Sequence, residues 1–178
     1  MAIRIKGNRL LKSVPGNLTR PTLARVREAI FNIWQFELDG CYWLDLCAGS
    51  GSMGAEALCR GAAHVVGIEQ APKACQIIRQ NWQRCTTAKQ VFEVLQGDLL
   101  LLLPRLTVPF DKIYFDPPYA SDLYEPTLQA IANLNVLAPG GTLAVEHHPK
   151  RQLPSIQGLE QQRQKLYGST AVTFFTSS

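Results

Sequence analysis

The run Leu44-Asp45-Leu46-Cys47-Ala48-Gly49-Ser50-Gly51-Ser52-Met53-Gly54 constrains this chain more than any other stretch. It reads as a buried strand, then a glycine-rich turn, then a helix. Gly49, Gly51 and Gly54 stand at GxGxxG spacing, which permits a tight turn, close approach of backbone to a ligand, and close packing of helix on strand. Glu69 ends the next apolar run, His64-Val65-Val66-Gly67-Ile68, 20 positions after Gly49, where a carboxylate can accept ribose hydroxyls. Two ligand classes fit this much. A dinucleotide would set its pyrophosphate on the helix N-terminus, whereas S-adenosylmethionine has no phosphate and offers a cationic sulfonium and an amino-acid tail. The acidic residues favour the second. Asp45, inside the strand before the turn, suits an ammonium group or the N–H groups of the loop. Asp98, closing Val91-Phe92-Glu93-Val94-Leu95-Gln96-Gly97, suits an adenine amino group. With Ala48 and Leu99, these residues make the candidate cofactor set: Asp45, Ala48, Gly49, Gly51, Gly54, Glu69, Asp98 and Leu99.

Asp116-Pro117-Pro118-Tyr119 follows the apolar stretch Ile113-Tyr114-Phe115 and supplies candidate catalytic residues. An exocyclic amine on a nucleobase is a poor nucleophile, because its lone pair is delocalised into the ring, so a site acting on it must grip the N–H groups. The Asp116 side chain and the Pro117 carbonyl, stiffened by two successive fixed φ angles, can each accept one N–H. Tyr119 offers a face for the base, and stacking of that kind contributes on the order of 1–3 kcal/mol.

Beyond Tyr42 the pattern alternates strand and helix. Strands are predicted near residues 42–47, 64–69, 92–96, 112–115 and 142–146, with helices near 53–60, 72–84, 99–103 and 125–134. Two terminal antiparallel strands, 159–166 and 170–175, are joined by Tyr167-Gly168-Ser169. The expected fold class is therefore an open α/β sheet, mostly parallel, with a C-terminal antiparallel hairpin. Ligands bind such a sheet beyond the carboxyl ends of its strands. Ahead of it, residues 1–18 read as a strand or loop pair punctuated by Pro15-Gly16-Asn17. Thr22 can cap a helix with Leu23, Val26, Ile30, Ile33 and Trp34 on its apolar stripe, and Arg25, Arg27 and Glu28 off it. Trp43 and Trp82 read as packing residues, Tyr124 as a weaker stacking candidate than Tyr119, and His147-His148 as solvated.

At 178 residues the expectation is one domain, with residues 1–20 as a basic arm. The longest aliphatic stretch, Leu99 to Leu103, is far short of the ~20 residues a bilayer requires, and no secretory apolar run follows the N-terminus, so a cytoplasmic protein without a membrane partner is expected. Cys41, Cys47, Cys59, Cys75 and Cys85 form no CxxC pair and read as small buried apolar residues, so no metal is expected. Charge is lopsided. The net charge is +4, yet the first 27 residues carry +7 from Arg4, Lys6, Arg9, Lys12, Arg20, Arg25 and Arg27 with no acidic residue, leaving −3 on the rest. Basic charge gathered at one end suits a phosphate-tracking arm, which makes these seven the candidate nucleic-acid contacts.

The whole pattern resembles the bacterial small-subunit ribosomal RNA guanine-N2 methyltransferases of the RsmD type. The matching residues are Arg20-Pro21-Thr22 with Arg25-Val26-Arg27-Glu28 and Phe31-Asn32, then Leu44-Asp45-Leu46 with Ala48-Gly49-Ser50-Gly51 and Gly54. After them come Glu56-Ala57-Leu58, Arg60-Gly61-Ala62, Glu69, Asn81, Asp116-Pro117-Pro118-Tyr119, Glu146, Arg163, Lys165 and Gly168. The resemblance implies a Rossmann-like class I S-adenosylmethionine-dependent methyltransferase with a seven-stranded sheet. It also implies methyl transfer to the exocyclic amine of one guanine in 16S rRNA, within assembled 30S particles; a monomer is expected. Three rivals share part of the pattern. A DNA adenine or protein glutamine methyltransferase would usually carry Asn where Asp116 stands. A nicotinamide oxidoreductase is disfavoured by Asp45 and Asp116. A non-catalytic RNA-binding assembly factor would have no use for the intact Asp-Pro-Pro-Tyr run.

Overall fold

The computed structural model describes residues 3–14 and 24–177. In chain order the elements are β1 (Ile3–Ile5), β2 (Arg9–Leu11), α1 (Ala24–Ile33), β3 (Tyr42–Leu46), α2 (Ser52–Cys59), β4 (His64–Glu69), α3 (Pro72–Gln83) and β5 (Val91–Gln96). They continue with α4 (Leu99–Leu102), β6 (Phe110–Phe115), α5 (Tyr124–Asn133), β7 (Leu137–His147), β8 (Leu159–Tyr167) and β9 (Thr170–Ser177). Seven strands form one sheet in the order β5-β4-β3-β6-β7-β9-β8. Strands β3 to β7 are mutually parallel; β9 pairs antiparallel with β7 and with β8. The expected mostly parallel sheet with a terminal antiparallel hairpin is what forms. Strand order reverses between β3 and β6, and a crevice opens at such a switch point beyond the carboxyl ends of the strands.

The pleat divides the interior into two layers. Trp43, Val65, Tyr114, Ala144, Val172 and Phe174 face α1, α2 and α3, whereas Leu44, Leu46, Val66, Ile68, Ile113, Phe115, Leu143 and Val145 face α4 and α5. Both faces are covered, which is why these strands read as continuous apolar runs. Pro72 occupies the first turn of α3, where its missing N–H costs nothing, and Gly61 follows α2 at φ 102, a backbone region open to glycine.

Trp82 determines how α2 and α3 lie on the sheet. Its ring is fully buried, its Nε1–H donates to the Gly51 carbonyl at 2.7 Å, and a Cβ built on Gly54 or Gly67 would lie 2.2 or 2.6 Å from its ring carbons. Those two glycines are the space the indole needs.

Several elements differ from the sequence expectation. Strand β7 begins at Leu137, not near residue 142. Ala138-Pro139-Gly140-Gly141 is carried as an irregularity within the strand, with the register against β6 shifting between Phe110 and Lys112 and Gly140 at φ 75. The residues that signal a turn are absorbed as a bulge because the flanking residues still pair. His147, expected to be solvated, is fully buried in β7, its Nε2 2.8 Å from Thr173 Oγ1; His148 is exposed. The arm's hairpin turns at Lys6-Gly7-Asn8, with Gly7 at φ 73 and Asn8 at φ 60. Pro15-Gly16-Asn17 and the Thr22 cap lie outside the described residues. Among the described residues no helix is long and apolar enough to cross a membrane.

Gly67→Ala, in mid-strand, should lower folding stability by about 1–3 kcal/mol through overpacking. In the Gly67→Ala, Trp82→Phe double variant the loss measured by chemical denaturation should be less than the sum of the two single losses. Strict additivity would show that the indole does not set this clearance.

Candidate active site

Alternation along a strand puts Asp45, Glu69, Tyr114, Asp116 and Glu146 on the sheet face that meets α1 to α3, and these five, with Cys47 just past the end of β3, line one cavity of about 520 Å³. The cavity lies at the switch point, between the glycine-rich turn after β3 and the Asp-Pro-Pro-Tyr run after β6. Its volume is in the range of ordinary small-ligand sites. Five acidic side chains line it, Asp45, Glu69, Asp98, Asp116 and Glu146, and its described lining includes no Lys, Arg or His. A pyrophosphate would find no cation there and would face net repulsion, so a nicotinamide or flavin dinucleotide is a poor fit. A cationic ligand is a good one.

Asp45 is buried, and its Oδ2 accepts the Gly54 N–H at 3.0 Å. Burial pushes its carboxyl from 3.8 up to about 8, with the Gly54 bond opposing and Glu69 adding to the rise. An ammonium or sulfonium in the cavity would restore its charge. Glu69 ties the loops together, Oε2 accepting from Gly49 N and Oε1 from Ala71 N, both at 2.9 Å. Asp98 caps α4, its Oδ1 accepting from Leu100 N at 2.8 Å and Leu101 N at 3.2 Å, and it lines the cavity beside Leu99. Ala48, Gly49 and Leu99 line the cavity, whereas Gly51 and Gly54 do not. Their service is to let Trp82 pack and, through the Gly54 amide, to hold Asp45. Cys47 also lines the cavity at φ 60, and burial pushes its thiol up to about 12, so it remains protonated at neutral pH.

Asp116 is half-buried and its N–H reaches Leu46 O at 3.4 Å, so the catalytic run starts in register with β3. Pro117 is buried, Pro118 exposed, Tyr119 half-buried, and all three line the cavity. The Tyr119 hydroxyl donates to Glu146 Oε1 at 2.9 Å and lies 2.9 Å from Thr170 Oγ1, which fixes the ring from its far end. Burial, with Glu146 nearby, pushes that phenol up to about 12. Arg151 steadies the loop from outside: its guanidinium donates to Tyr119 O at 2.9 Å and sits 4.3 Å from the Tyr124 ring centroid. Tyr124 is thus fully buried behind the loop and is no stacking platform. Glu146 and Tyr114 were not singled out as site residues by sequence reasoning, since their place depends on which strands neighbour each other.

The basic residues divide. Arg4, Lys6, Arg9 and Lys12 are exposed on a hairpin held down by Ile5, Leu11 and Val14. Backbone bonds from Lys6 N to Glu56 Oε2 and from Lys12 N to Asn81 Oδ1, each 2.9 Å, hold it too, and the Asn81 amide also donates to Lys12 O and Ser50 O. Arg9 is partly committed, its guanidinium 3.5 Å from Cys59 Sγ and 3.4 Å from Arg84 O. Arg25 is exposed but donates to Tyr167 O at 2.7 Å. Arg27 is not a nucleic-acid contact. It is buried beside Glu56 at 3.9 Å and donates to Arg4 O, and burial lowers its pKa. The buried face of α1 runs through Val26, Arg27, Ile30 and Phe31, so it takes in Arg27 and Phe31 beside the apolar stripe; the buried Glu56 is flanked by two cations, Arg60 at 2.8 Å and Arg27 at 3.9 Å. Arg20 lies outside the described residues.

Comparison with known proteins points the same way. The family described as "Conserved hypothetical protein 95" matches over residues 3–176. YlbH of Bacillus subtilis is 35% identical over 173 residues, 96% of this chain and 94% of that protein. Ribosomal RNA small subunit methyltransferase D of Haemophilus influenzae is 32% identical over 136 residues, 75% of this chain and 70% of that protein. The solved structure of yhhF from Escherichia coli superposes with a TM-score of 0.85 at 29% identity, covering 99% of this chain and 98% of that one. The cavity, its acidic lining and these likenesses place the chain in the conserved hypothetical protein 95 family, that of the RsmD-type methyltransferases.

Proposed function

We propose that this protein is an S-adenosylmethionine-dependent methyltransferase acting on the exocyclic N2 amine of a guanine in 16S rRNA, as a monomer and on assembled 30S particles. The observation that carries the reading is a cavity lined by five carboxyl groups at the switch point, with the Asp116-Pro117-Pro118-Tyr119 run forming one wall. The name borne by the Haemophilus relative supports rRNA as the substrate class. The exposed cations of the β1–β2 hairpin suit a phosphate backbone that stays outside the acidic cavity while one base enters it.

The donor set fits the cofactor. Asp45 would meet its ammonium end, Ala48 and Gly49 its backbone-facing side, Glu69 the ribose, and Asp98 with the Leu99 amide the adenine edge. When bound, S-adenosylmethionine supplies an electrophilic methyl group. The protein's own work is positioning. Asp116 and the Pro117 carbonyl accept the two N–H groups of the amine and turn its lone pair toward the methyl, and the tethered Tyr119 ring holds the base plane. Asp116 need not act as a strong base, because the proton leaves after the nitrogen becomes cationic.

Asp116→Ala should abolish transfer of labelled methyl to rRNA and leave cofactor affinity near wild type by calorimetry; loss of both together would make Asp116 a cofactor ligand instead. Asp45 gives a pH signature. Its carboxyl is mostly neutral at pH 7, so taking up a cation releases a proton, and affinity should rise with pH by up to about tenfold per unit before levelling above about 8. Calorimetry in buffers of different ionisation enthalpy should detect that proton, and Asp45→Asn should not release it. Without ligand the same shift makes the carboxyl's contribution to stability full below about pH 4 and lost as pH rises through about 8. Neutralising Arg4, Lys6, Arg9 and Lys12 together should flatten the salt dependence of RNA binding. An unchanged slope would place the RNA surface elsewhere.

A further inference from the structure

Glu146 has no part in holding the cofactor or the amine as described so far, yet it occupies the cavity wall beside Asp116. Phe115 pairs with Val145, so Asp116 and Glu146 follow at the same level on neighbouring strands, ~4.8 Å apart in backbone, with both side chains on the cavity face. Glu146 as a whole residue is 3% exposed. Its Oε2 takes the Tyr114 hydroxyl at 2.5 Å and its Oε1 the Tyr119 hydroxyl at 2.9 Å. Among the described residues no Lys, Arg or His stands within ion-pair distance of it. Burying an unpaired carboxylate is costly even with two hydroxyl bonds, and those bonds use only half of its acceptor capacity. A carboxylate held rigidly in this way against a ligand cavity is built to receive a donor.

We propose that Glu146 selects guanine, its carboxylate accepting the N1–H of the target base while Asp116 and the Pro117 carbonyl hold the adjacent N2 amine. The inference rests on the guanine-N2 reading above. Guanine alone among the common bases presents a ring N–H directly beside an exocyclic amine at position 2. Adenine places a lone pair at N1, which a carboxylate repels, so the same residue that admits guanine excludes adenine. Tyr114 and Tyr119 take a supporting part: their hydroxyls fix the carboxylate in the plane of the incoming base and leave it no freedom to rotate toward solvent.

The test replaces the methylated guanosine, once mapped, with 2-aminopurine in rRNA joined from two pieces and assembled into 30S particles. That analogue keeps the amine at position 2 but carries a lone pair at N1. Wild-type protein should favour guanine over 2-aminopurine by at least about tenfold in kcat/KM, in line with the losses seen when a site's hydrogen-bond partner is missing. In Glu146→Gln the amide can donate to an N1 lone pair, so guanine turnover should fall and the preference should shrink by at least tenfold. Equal use of the two bases by wild-type protein, or an equal fractional loss on both in Glu146→Gln, would overturn the proposal and leave Glu146 as a support for the tyrosines. Melting temperature and cofactor affinity show whether the variant is folded; if it is not, the wild-type preference decides alone. Absence of N2-methylguanosine from wild-type reactions would instead sink the guanine-N2 reading, a result distinct from either outcome for Glu146.

Discussion

The indole of Trp82 is the contact on which the cofactor side of this protein depends. It reaches from α3 into the angle between α2 and β4, where Gly54 and Gly67 leave room for its ring, and its one polar atom closes on the Gly51 carbonyl at 2.7 Å. Because the helix can approach the sheet only this closely, the Gly54 amide comes within 3.0 Å of Asp45, and the turn between them is held at both ends. The glycines of the GxGxxG run are therefore divided in purpose. Gly49 meets the cavity, while Gly51 and Gly54 meet tryptophan.

The rest of the site follows from one electrostatic arrangement. Strand ends that carry carboxylates are kept in place largely by backbone N–H groups: Glu69 by Gly49 and Ala71, Asp98 by Leu100 and Leu101, Asp45 by Gly54. Such bonds orient the carboxyl groups without placing a cation beside them, so Asp45, mostly neutral at pH 7 while the cavity is empty, is left able to ionise when a cationic ligand arrives. The cavity thus stays negative and is suited to a cationic ligand and to amine donors, while the protein's exposed cations are left for the outer surface.

How much of this was legible in the sequence depended on the range over which each feature acts. The parallel sheet, and the placement of Glu69, Asp98 and the Asp-Pro-Pro-Tyr run at the strand ends around one cavity, rest on local patterns set by periodicity and by residues a few positions apart, and the structure has them where the sequence put them. Pairings between distant segments were not legible in this way. Arg27 read as a surface cation because its partner Glu56 is 29 positions away, and His147 read as solvated because Thr173 belongs to a strand that folds back beside it. Glu146 read as the end of a strand; only the adjacency of β6 and β7 gives it Asp116 as a neighbour. The Pro-Gly-Gly segment at 139–141 failed for another reason. Turn residues signal irregular backbone, and a strand can absorb irregular backbone without ending.

The amide of Asn81 joins the basic hairpin to the glycine-rich turn, with Lys12 on one side and Ser50 on the other. Its bonds are neutral, and the hairpin's other anchors are the apolar side chains Ile5, Leu11 and Val14 and two bonds to buried charged groups, Lys6 N–H to the Glu56 carboxylate and the Arg27 guanidinium to Arg4 O. Because those charged groups are buried, salt screens the hairpin's seat on the protein far less than it would screen contacts between its exposed cations and a polyanion. A polyanion that met the hairpin would find a preformed plate, not a tail that must be ordered on arrival, because the entropy of arranging it is met during folding. A surface of that kind would exchange such a partner mainly at the expense of counterions.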